Sequence, residues 1–303
     1  MSGLMISLQD AVAQGVLWGI MVLGVYITYK LLDIADLTVD GSFAMGGCVC
    51  AVMILVFKAD PWVALTAATL AGMAAGTVTG LLHTVFEIPA ILAGILTQIG
   101  LWSINLRIMG GKSNVPLLKT ETIFINFIDM TGMNRQAASL VIGIGISIAI
   151  SVILYWFFGT EIGSAMRATG NNEAMIRAQG VNTNMTKLLA LALSNGLVGL
   201  SGGLVCQSQK YADIGMGTGA IVIGLAAIVI GDVLMGRMRS FGSKLASAIV
   251  GSVIYFVIRA VVLRMGMDAN DMKLLSAFIV AVALCVPVMV RKWRLKKSYT
   301  EGV

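Results

Sequence analysis

The sequence predicts an all-α polytopic membrane protein with about nine transmembrane helices, within a range of eight to ten. The 303-residue chain is 58% hydrophobic and only 12% charged, and its mean hydropathy is +0.91. This is more apolar surface than one water-soluble core can bury. Apolar windows of roughly 20 residues with few or no charges recur along the chain, and a helix needs about that length to cross the hydrocarbon layer. A soluble globular domain and a disordered chain are both excluded.

Nine windows of this kind are predicted to be the membrane spans. They cover residues 11–29, 41–57, 62–82, 88–106, 136–158, 188–206, 218–236, 243–263 and 273–290. The chain contains 35 glycines and only 4 prolines, a composition typical of closely packed transmembrane helices.

Basic residues predict which side of the membrane each loop faces. Five of them follow the last span directly, in a tail (291–303) that is therefore expected in the cytoplasm: Arg291, Lys292, Arg294, Lys296 and Lys297. Counting back through nine spans places segment 159–187 in the cytoplasm, segments 107–135 and 207–217 outside, and the N-terminus outside. No polar segment is long enough to fold alone, so residues 1–303 are expected to form one transmembrane domain.

The two longest polar segments are expected to differ in structure. Segment 159–187 contains short helical stretches interrupted at Gly170 and Gly180, and glycine commonly ends helices. It is predicted to be a compact helix-turn-helix below the bilayer. Segment 107–135 carries a short apolar piece, Ile123–Ile128, which is predicted to be an interfacial helix in an outer loop.

Enzymatic chemistry has little support in this sequence. Its one histidine, His83, lies near the end of the third span, and no pair of carboxylates has a base beside it. The four cysteines lie in apolar stretches, where a thiol behaves as a small hydrophobic group: Cys48, Cys50, Cys206 and Cys285. The sequence therefore predicts no catalytic residue, metal site, cofactor or ATPase site.

Small residues predict close contacts between helices. Gly72, Gly76 and Gly80 stand four residues apart on one face of the third span, so another helix can approach that face closely. The sixth span is rich in glycine and serine around Asn195, which indicates polar contacts between helices. The alternative is that these small residues leave room for a solute path. The alternating glycines of segment 215–219 are expected to be flexible backbone at the start of the seventh span.

Carboxylates near the membrane need a specific explanation, because a charge in hydrocarbon is costly. Asp33, Asp36 and Asp40 cluster between the first two spans, and segment 33–42 is predicted to be a broken or re-entrant helix that is buried in protein or lines a cavity. Helix capping and a role in gating remain two open explanations for these carboxylates. Five polar residues at apparent membrane depth are candidates for a translocation path: Asp36, Thr38, Asp40, Gln98 and Asn195.

Two segments carry a resemblance to a known family. The stretch Ile34–Phe43, followed by Gly46 and Gly47, resembles the signature after an early span in permeases of the branched-chain amino acid and ribose class of ABC importers. Segment 161–182, followed by the glycine-rich sixth span, is similar to the cytoplasmic loop by which those permeases engage their ATPase. Within the class, the chain most resembles the amino-acid-type permeases associated with tryptophan or tyrosine uptake.

The resemblance implies a function and a set of partners. The chain would be the permease subunit of an ATP-driven importer in the bacterial cell membrane, carrying a small solute such as an amino acid, and the tryptophan- or tyrosine-type relatives imply an aromatic one. A separate ATP-binding cassette ATPase, an extracytoplasmic substrate-binding protein and a second copy of the permease would be its partners, with no role for nucleic acid. In segment 159–187 the residues implied in ATPase coupling are Arg167, Gly170, Asn171, Glu173, Arg177 and Gly180.

Two functions from other classes remain open at this stage. An ion-gradient-driven secondary transporter would use intramembrane carboxylates and broken helices, and Asp36 and Asp40 are compatible with it. The polar segment 159–187 would then have no explanation. A purely structural membrane subunit is the third possibility.

Overall fold

The computed structural model describes residues 2–118, 120–235, 240–266, 271, 274–282, 285 and 289. From Ser2 to Arg264 the described residues form eleven α-helices and two short strands. The helices are α1 (Ser2–Tyr26), α2 (Thr38–Leu55), α3 (Pro61–Thr84), α4 (Ala90–Ile108), α5 (Ile123–Thr131), α6 (Arg135–Phe157), α7 (Glu161–Asn171), α8 (Glu173–Ala178), α9 (Thr183–Gln209), α10 (Ala220–Met235) and α11 (Phe241–Arg264). The strands are β1 (Asn114–Pro116) and β2 (Tyr211–Asp213).

The predicted fold class, an all-α polytopic membrane protein, is confirmed, but the count of nine spans is not. In the described part of the chain, seven helices are long and apolar enough to cross a membrane, and α10 is a shorter apolar helix. The first of the seven runs from Met5 to Leu31 because a π-helical turn, Ile27–Leu31, extends α1. The predicted ninth span, 273–290, lies partly outside the described residues, although 274–282 are helical. The basic tail, 291–303, lies wholly outside them.

Helix α9 lies at the centre of the bundle, where it packs against α1, α2 and α3. The three glycines of the α3 row face it: a Cβ on Gly72 or Gly76 would overlap the carbonyl oxygens of Asn195 and Leu191, and Gly80 lies against Leu188. Contacts at backbone distance supply the van der Waals attraction that holds helices together where the surrounding lipid is as apolar as the side chains.

The bundle has two distinct ends. At one, which we call the strand end, β1 pairs antiparallel with β2, and α5 lies beside them where an interfacial helix was predicted. Gln207 joins α5 to the bundle, because its side-chain oxygen accepts from the backbone N–H of Ile123 at 3.0 Å and its Nε2 donates to the carbonyl of Pro61 at 3.0 Å. At the other, the α7–α8 end, the chain leaves α6, forms the two short helices and enters α9.

The helix-turn-helix at the α7–α8 end is present, but its break is not where the sequence predicted it. Helix α7 continues through Gly170, and the break falls at Asn172, whose Oδ1 accepts from the N–H of Met175 and so caps α8 at 3.0 Å. An asparagine cap satisfies a free backbone donor at the start of a helix. The predicted second interruption lies just after α8, where Gly180 has φ +87°.

Candidate translocation path and coupling loop

The helical structure of the chain is interrupted between α1 and α2, as the sequence predicted. The π-helical turn ends at Leu31, the next residues are not helical, and α2 begins at Thr38. The break is therefore shorter than the predicted segment 33–42, and Asp40 lies in the first turn of α2. Asp33 has a positive φ of 58°, which lets the chain reverse away from the end of α1.

Asp36 lies at the centre of a buried polar cluster. Its side chain is only 2% exposed. Oδ1 accepts from the backbone N–H of Thr38 at 2.9 Å, and Oδ2 accepts from Nδ2 of Asn195, near the middle of α9, at 2.6 Å. The amide oxygen of Asn195 accepts in turn from the Ser42 hydroxyl at 2.7 Å. The Asp36 carboxylate thus caps the start of α2 and connects the break to α9. Through Asn195, which accepts from Ser42, it is also connected to α2 indirectly.

A row of threonine hydroxyls extends this cluster toward α4. Oγ1 of Thr38 and Oγ1 of Thr79 lie 2.7 Å apart, and the Thr79 hydroxyl donates to that of Thr97 at 2.9 Å. All three are buried. The candidate Gln98 is the residue after Thr97; it is half-buried, and its Cα faces Gly41 of α2. The structure therefore brings Asp36, Thr38 and Asn195 into one cluster, and it leaves Gln98 beside that cluster.

Asp40 belongs to a different contact. Its two carboxylate oxygens accept from the backbone N–H groups of Gly219 and Ile221, at 2.8 and 2.9 Å, so it caps the start of α10. Gly217 lies directly against the carbonyl of Asp40, and Gly219 has φ +82°. The expectation that segment 215–219 is flexible backbone was wrong, because Asp40 and close backbone contact hold the loop in place.

Charged residues also fix the α7–α8 end of the bundle. Nζ of Lys30, in the π-helical turn, lies 2.8 Å from Oδ2 of Asp232 in α10. Arg259 lies in the second half of α11, where its guanidinium carbon is 5.7 Å from the centroid of the Phe256 ring. The ion pair therefore joins the ends of two helices that both finish at the α7–α8 end.

Glu173 holds α8 to α9. Its Oε2 lies 2.7 Å from Nζ of Lys187, and its Oε1 accepts from Arg177 at 2.9 Å and from the hydroxyl of Thr183 at 3.1 Å. The hydrogen bond from Lys187 keeps the pKa of the Glu173 carboxyl below its usual range, so the residue is ionised at neutral pH. The predicted coupling residues Glu173 and Arg177 thus contact each other and the first turns of α9.

Gly170 marks the contact between α7 and the end of α1. A Cβ at this position would overlap the carbonyl oxygen of Leu31, so only glycine allows the two backbones to approach so closely. Helix α7 is also tied to α9, because the hydroxyls of Thr169 and Thr186 lie 3.1 Å apart. Arg167 lies over the ring of Phe241 at 5.5 Å.

The remaining predicted coupling residues, Asn171 and Gly180, are exposed, as is most of the outer surface of the two helices. Large apolar side chains on that surface are also uncovered: Ile162 is 52% exposed, Met175 50% and Met185, at the start of α9, 52%. These three side chains are therefore accessible for contact with another protein.

Several contributors to these sites were missed at the sequence level. Thr79 and Thr97 of the hydroxyl row were not among the predicted site residues, nor were Thr183 and Lys187 of the Glu173 cluster. Thr79 stands three residues after Gly76 of the glycine row, a spacing that puts both on one side of α3, and its partners Thr38 and Thr97 lie on α2 and α4. Thr183 and Lys187 stand four residues apart in the first turns of α9, a spacing that puts them on one face.

Comparisons with known proteins agree with one another. A family model described as branched-chain amino acid transport system / permease component matches residues 7–286. The tyrosine transport system permease protein of Clostridioides difficile (strain R20291) is 38% identical over 275 residues, which cover 91% of this chain and 89% of that protein. An uncharacterized protein of Rickettsia prowazekii (strain Madrid E) is 30% identical over 91% of this chain and 96% of its own length.

More distant similarity extends to sugar transport. The ribose import permease protein RbsC of Escherichia coli (strain K12) is 27% identical over 224 residues, 71% of this chain and 67% of that protein. No solved structure matches the chain significantly.

Proposed function

The chain belongs to the permease component family of branched-chain amino acid transport systems, and we propose that it forms the membrane path for an amino acid in an ATP-driven importer. The relative named as a tyrosine transport permease supports an aromatic amino acid as the first substrate to test. A multi-pass membrane protein of this family is a permease component of an ABC-type import system. The identity of the solute, the motor and the coupling residues are parts of the proposal.

The proposed motor is a separate ATPase subunit that binds the outer surface of α7 and α8 in the cytoplasm. The exposed apolar side chains Ile162 and Met175, together with the exposed Asn171, support this assignment. In this arrangement the α7–α8 end and the C-terminal tail are cytoplasmic, and the strand end faces outward, where a substrate-binding protein delivers the solute. Two permease copies and two ATPase subunits complete the proposed complex.

The observation that carries the coupling proposal is the close contact of α7 with the end of α1. A movement of α7 presses on Leu31 through Gly170, and only four residues separate Leu31 from Asp36. Asp36 is bonded to Asn195 of the central helix. We infer that closure of the ATPase pair moves α7 and α8 as a rigid unit and shifts the break between α1 and α2, which changes access to the path.

The cluster of Asp36, Thr38 and Asn195 is the proposed gate of that path. These residues are fully buried in this conformation, as expected of a closed gate, and they make alternative hydrogen bonds only if the helices move. Gln98 lies beside the gate, and Asp40 positions α10 next to it. In this proposal Asp40 is a positioning residue, and Gln98 borders the gate without belonging to it.

An ion-gradient-driven transporter is the second candidate function, and one observation favours it. Asp36 is buried, yet among the described residues no cation lies within ion-pair distance of it. Carboxylates of this kind bind protons or cations in secondary transporters. This alternative gives no role to the exposed surface of α7 and α8.

Replacing Glu173 tests the coupling loop. We expect Glu173→Ala to lower ATP-dependent uptake about tenfold and to reduce the amount of ATPase that co-purifies, because α8 loses its bonds to Lys187 and Thr183 and no longer moves with α9. The measurement is uptake of labelled tyrosine in cells, together with the ATPase-to-permease ratio after purification.

Asp129→Ala is the matched control. Asp129 is an exposed carboxylate in α5, away from the α7–α8 surface, and the described residues place no cation within ion-pair distance of it. It should leave uptake and co-purification near the wild-type values. Normal uptake and normal co-purification in Glu173→Ala would reject the assignment of this loop to coupling.

A further inference from the structure

A cavity of about 350 Å³ opens at the α7–α8 end of the bundle. It lies where the ends of α1, α7 and α10 meet the start of α11. Its polar lining consists of Tyr26, Lys30, Arg167, Asn171, Asp232 and Lys244. The volume is within the range of small-ligand sites, which is roughly 300–1,000 Å³.

The cavity has a surplus of positive charge. Lys30 is paired with Asp232, whose carboxylate is the one acidic group in the lining. Arg167 contacts the Phe241 ring and the Ser164 hydroxyl, neither of which neutralises it. Lys244 is exposed, and no carboxylate of the described residues lies within ion-pair distance of it. Within the described part of the chain, two cations, Arg167 and Lys244, therefore face the cavity without a counter-ion.

The two unpaired cations make the cavity suitable for an anion, and its position indicates which anion would bind there. Lys30 lies in the last turn of the span Met5–Leu31, and Lys244 lies in the first turn of the span Phe241–Arg264. Both ends are at the boundary between the apolar core and the headgroups, and Tyr26 is an aromatic residue of the type found at that boundary. A soluble anion has no reason to prefer this depth, whereas lipid phosphates are concentrated there.

We propose that this cavity binds the phosphate group of an anionic phospholipid headgroup. Arg167 offers planar N–H donors that suit phosphate oxygens, and Lys244 contributes a point charge. Because the lining residues come from four helices, a bound headgroup joins α7 to the ends of α1, α10 and α11. The lipid thereby holds the short helix α7 against the membrane part of the chain.

Native mass spectrometry of the full-length chain in detergent, with equal amounts of phosphatidylglycerol and phosphatidylcholine, tests the proposal. Phosphatidylglycerol should be retained preferentially. Lys244→Gln should weaken its binding about fivefold, the effect of one basic residue near an anionic lipid surface. Asp232→Asn should strengthen binding several-fold, because it removes the one carboxylate among the described lining residues and releases Lys30.

Lys112→Gln is the matched control, since Lys112 is an exposed lysine beyond the end of α4, at the strand end. It should leave lipid binding unchanged. Equal retention of the two lipids, or unchanged binding in both Lys244→Gln and Asp232→Asn, would overturn the proposal. Displacement of phosphatidylglycerol by millimolar inorganic phosphate in the wild-type chain, but not in Lys244→Gln, would identify a soluble anion as the ligand and would reject the lipid assignment.

Discussion

Gly170→Val is expected to abolish ATP-dependent uptake while the chain still inserts and associates with its ATPase. The added side chain meets the backbone of Leu31, and a backbone carbonyl cannot move aside as a flexible side chain can. Overpacking of this kind lowers stability by about 1–3 kcal/mol and forces the backbone to shift. We therefore expect α7 to move away from the end of α1. ATP hydrolysis by the assembled complex should persist but lose its dependence on substrate. Gly170→Ala should show the same change in smaller degree.

The matched control for this glycine is Gly145→Ala in α6. Gly145 also lies inside a helix, but a Cβ there meets no atom within 4 Å. Alanine is favoured over glycine in helices by roughly 1 kcal/mol, so this variant should transport normally and be no less stable than the wild type. Wild-type uptake by Gly170→Val would show that the contact with Leu31 plays no part in coupling.

Asp40→Ala is expected to lower the thermal stability of the chain and to reduce uptake by tenfold or more. The carboxylate accepts from two backbone N–H groups at the start of α10, and each bond to a charged group contributes about 1.5–3 kcal/mol. Without them the first turn of α10 is left with unpaired donors inside the bundle. Asp40→Asn keeps one acceptor oxygen and should fall between the alanine variant and the wild type.

Asp129→Ala provides the comparison for Asp40. Asp129 is an exposed carboxylate in α5, and its loss should leave the melting temperature within about a degree of the wild type, since exposed charges contribute little. A melting temperature of Asp40→Ala equal to that of Asp129→Ala would contradict the assigned role of Asp40 in fixing α10.

Local patterns were enough to predict the helices and the break. Apolar windows place seven of the predicted spans on long helices, and the cluster of Asp33, Asp36 and Asp40 marks the interruption between α1 and α2. Capping was one of the two explanations left open, and both Asp36 and Asp40 accept hydrogen bonds from the first backbone N–H groups of a helix. Such features depend on neighbouring residues, which a sequence displays directly.

Contacts between distant residues were not predictable in the same way. Asp40 accepts hydrogen bonds from Gly219 and Ile221, which are far along the chain. The glycine-rich segment 215–219 was predicted to be flexible because the sequence does not show that Asp40 holds it. The position of Gly170 inside α7 was misjudged for a related reason. Glycine serves equally to end a helix or to admit a neighbouring backbone, and only the location of Leu31 decides between the two.

The most direct test of the account is uptake of labelled tyrosine by liposomes that contain the purified chain, with and without its ATPase and substrate-binding protein. We expect accumulation against a gradient only when the ATPase and ATP are present, and no accumulation from a proton or sodium gradient alone. Accumulation by the chain alone, driven by an ion gradient, would contradict the account and would support the carboxylate-based alternative.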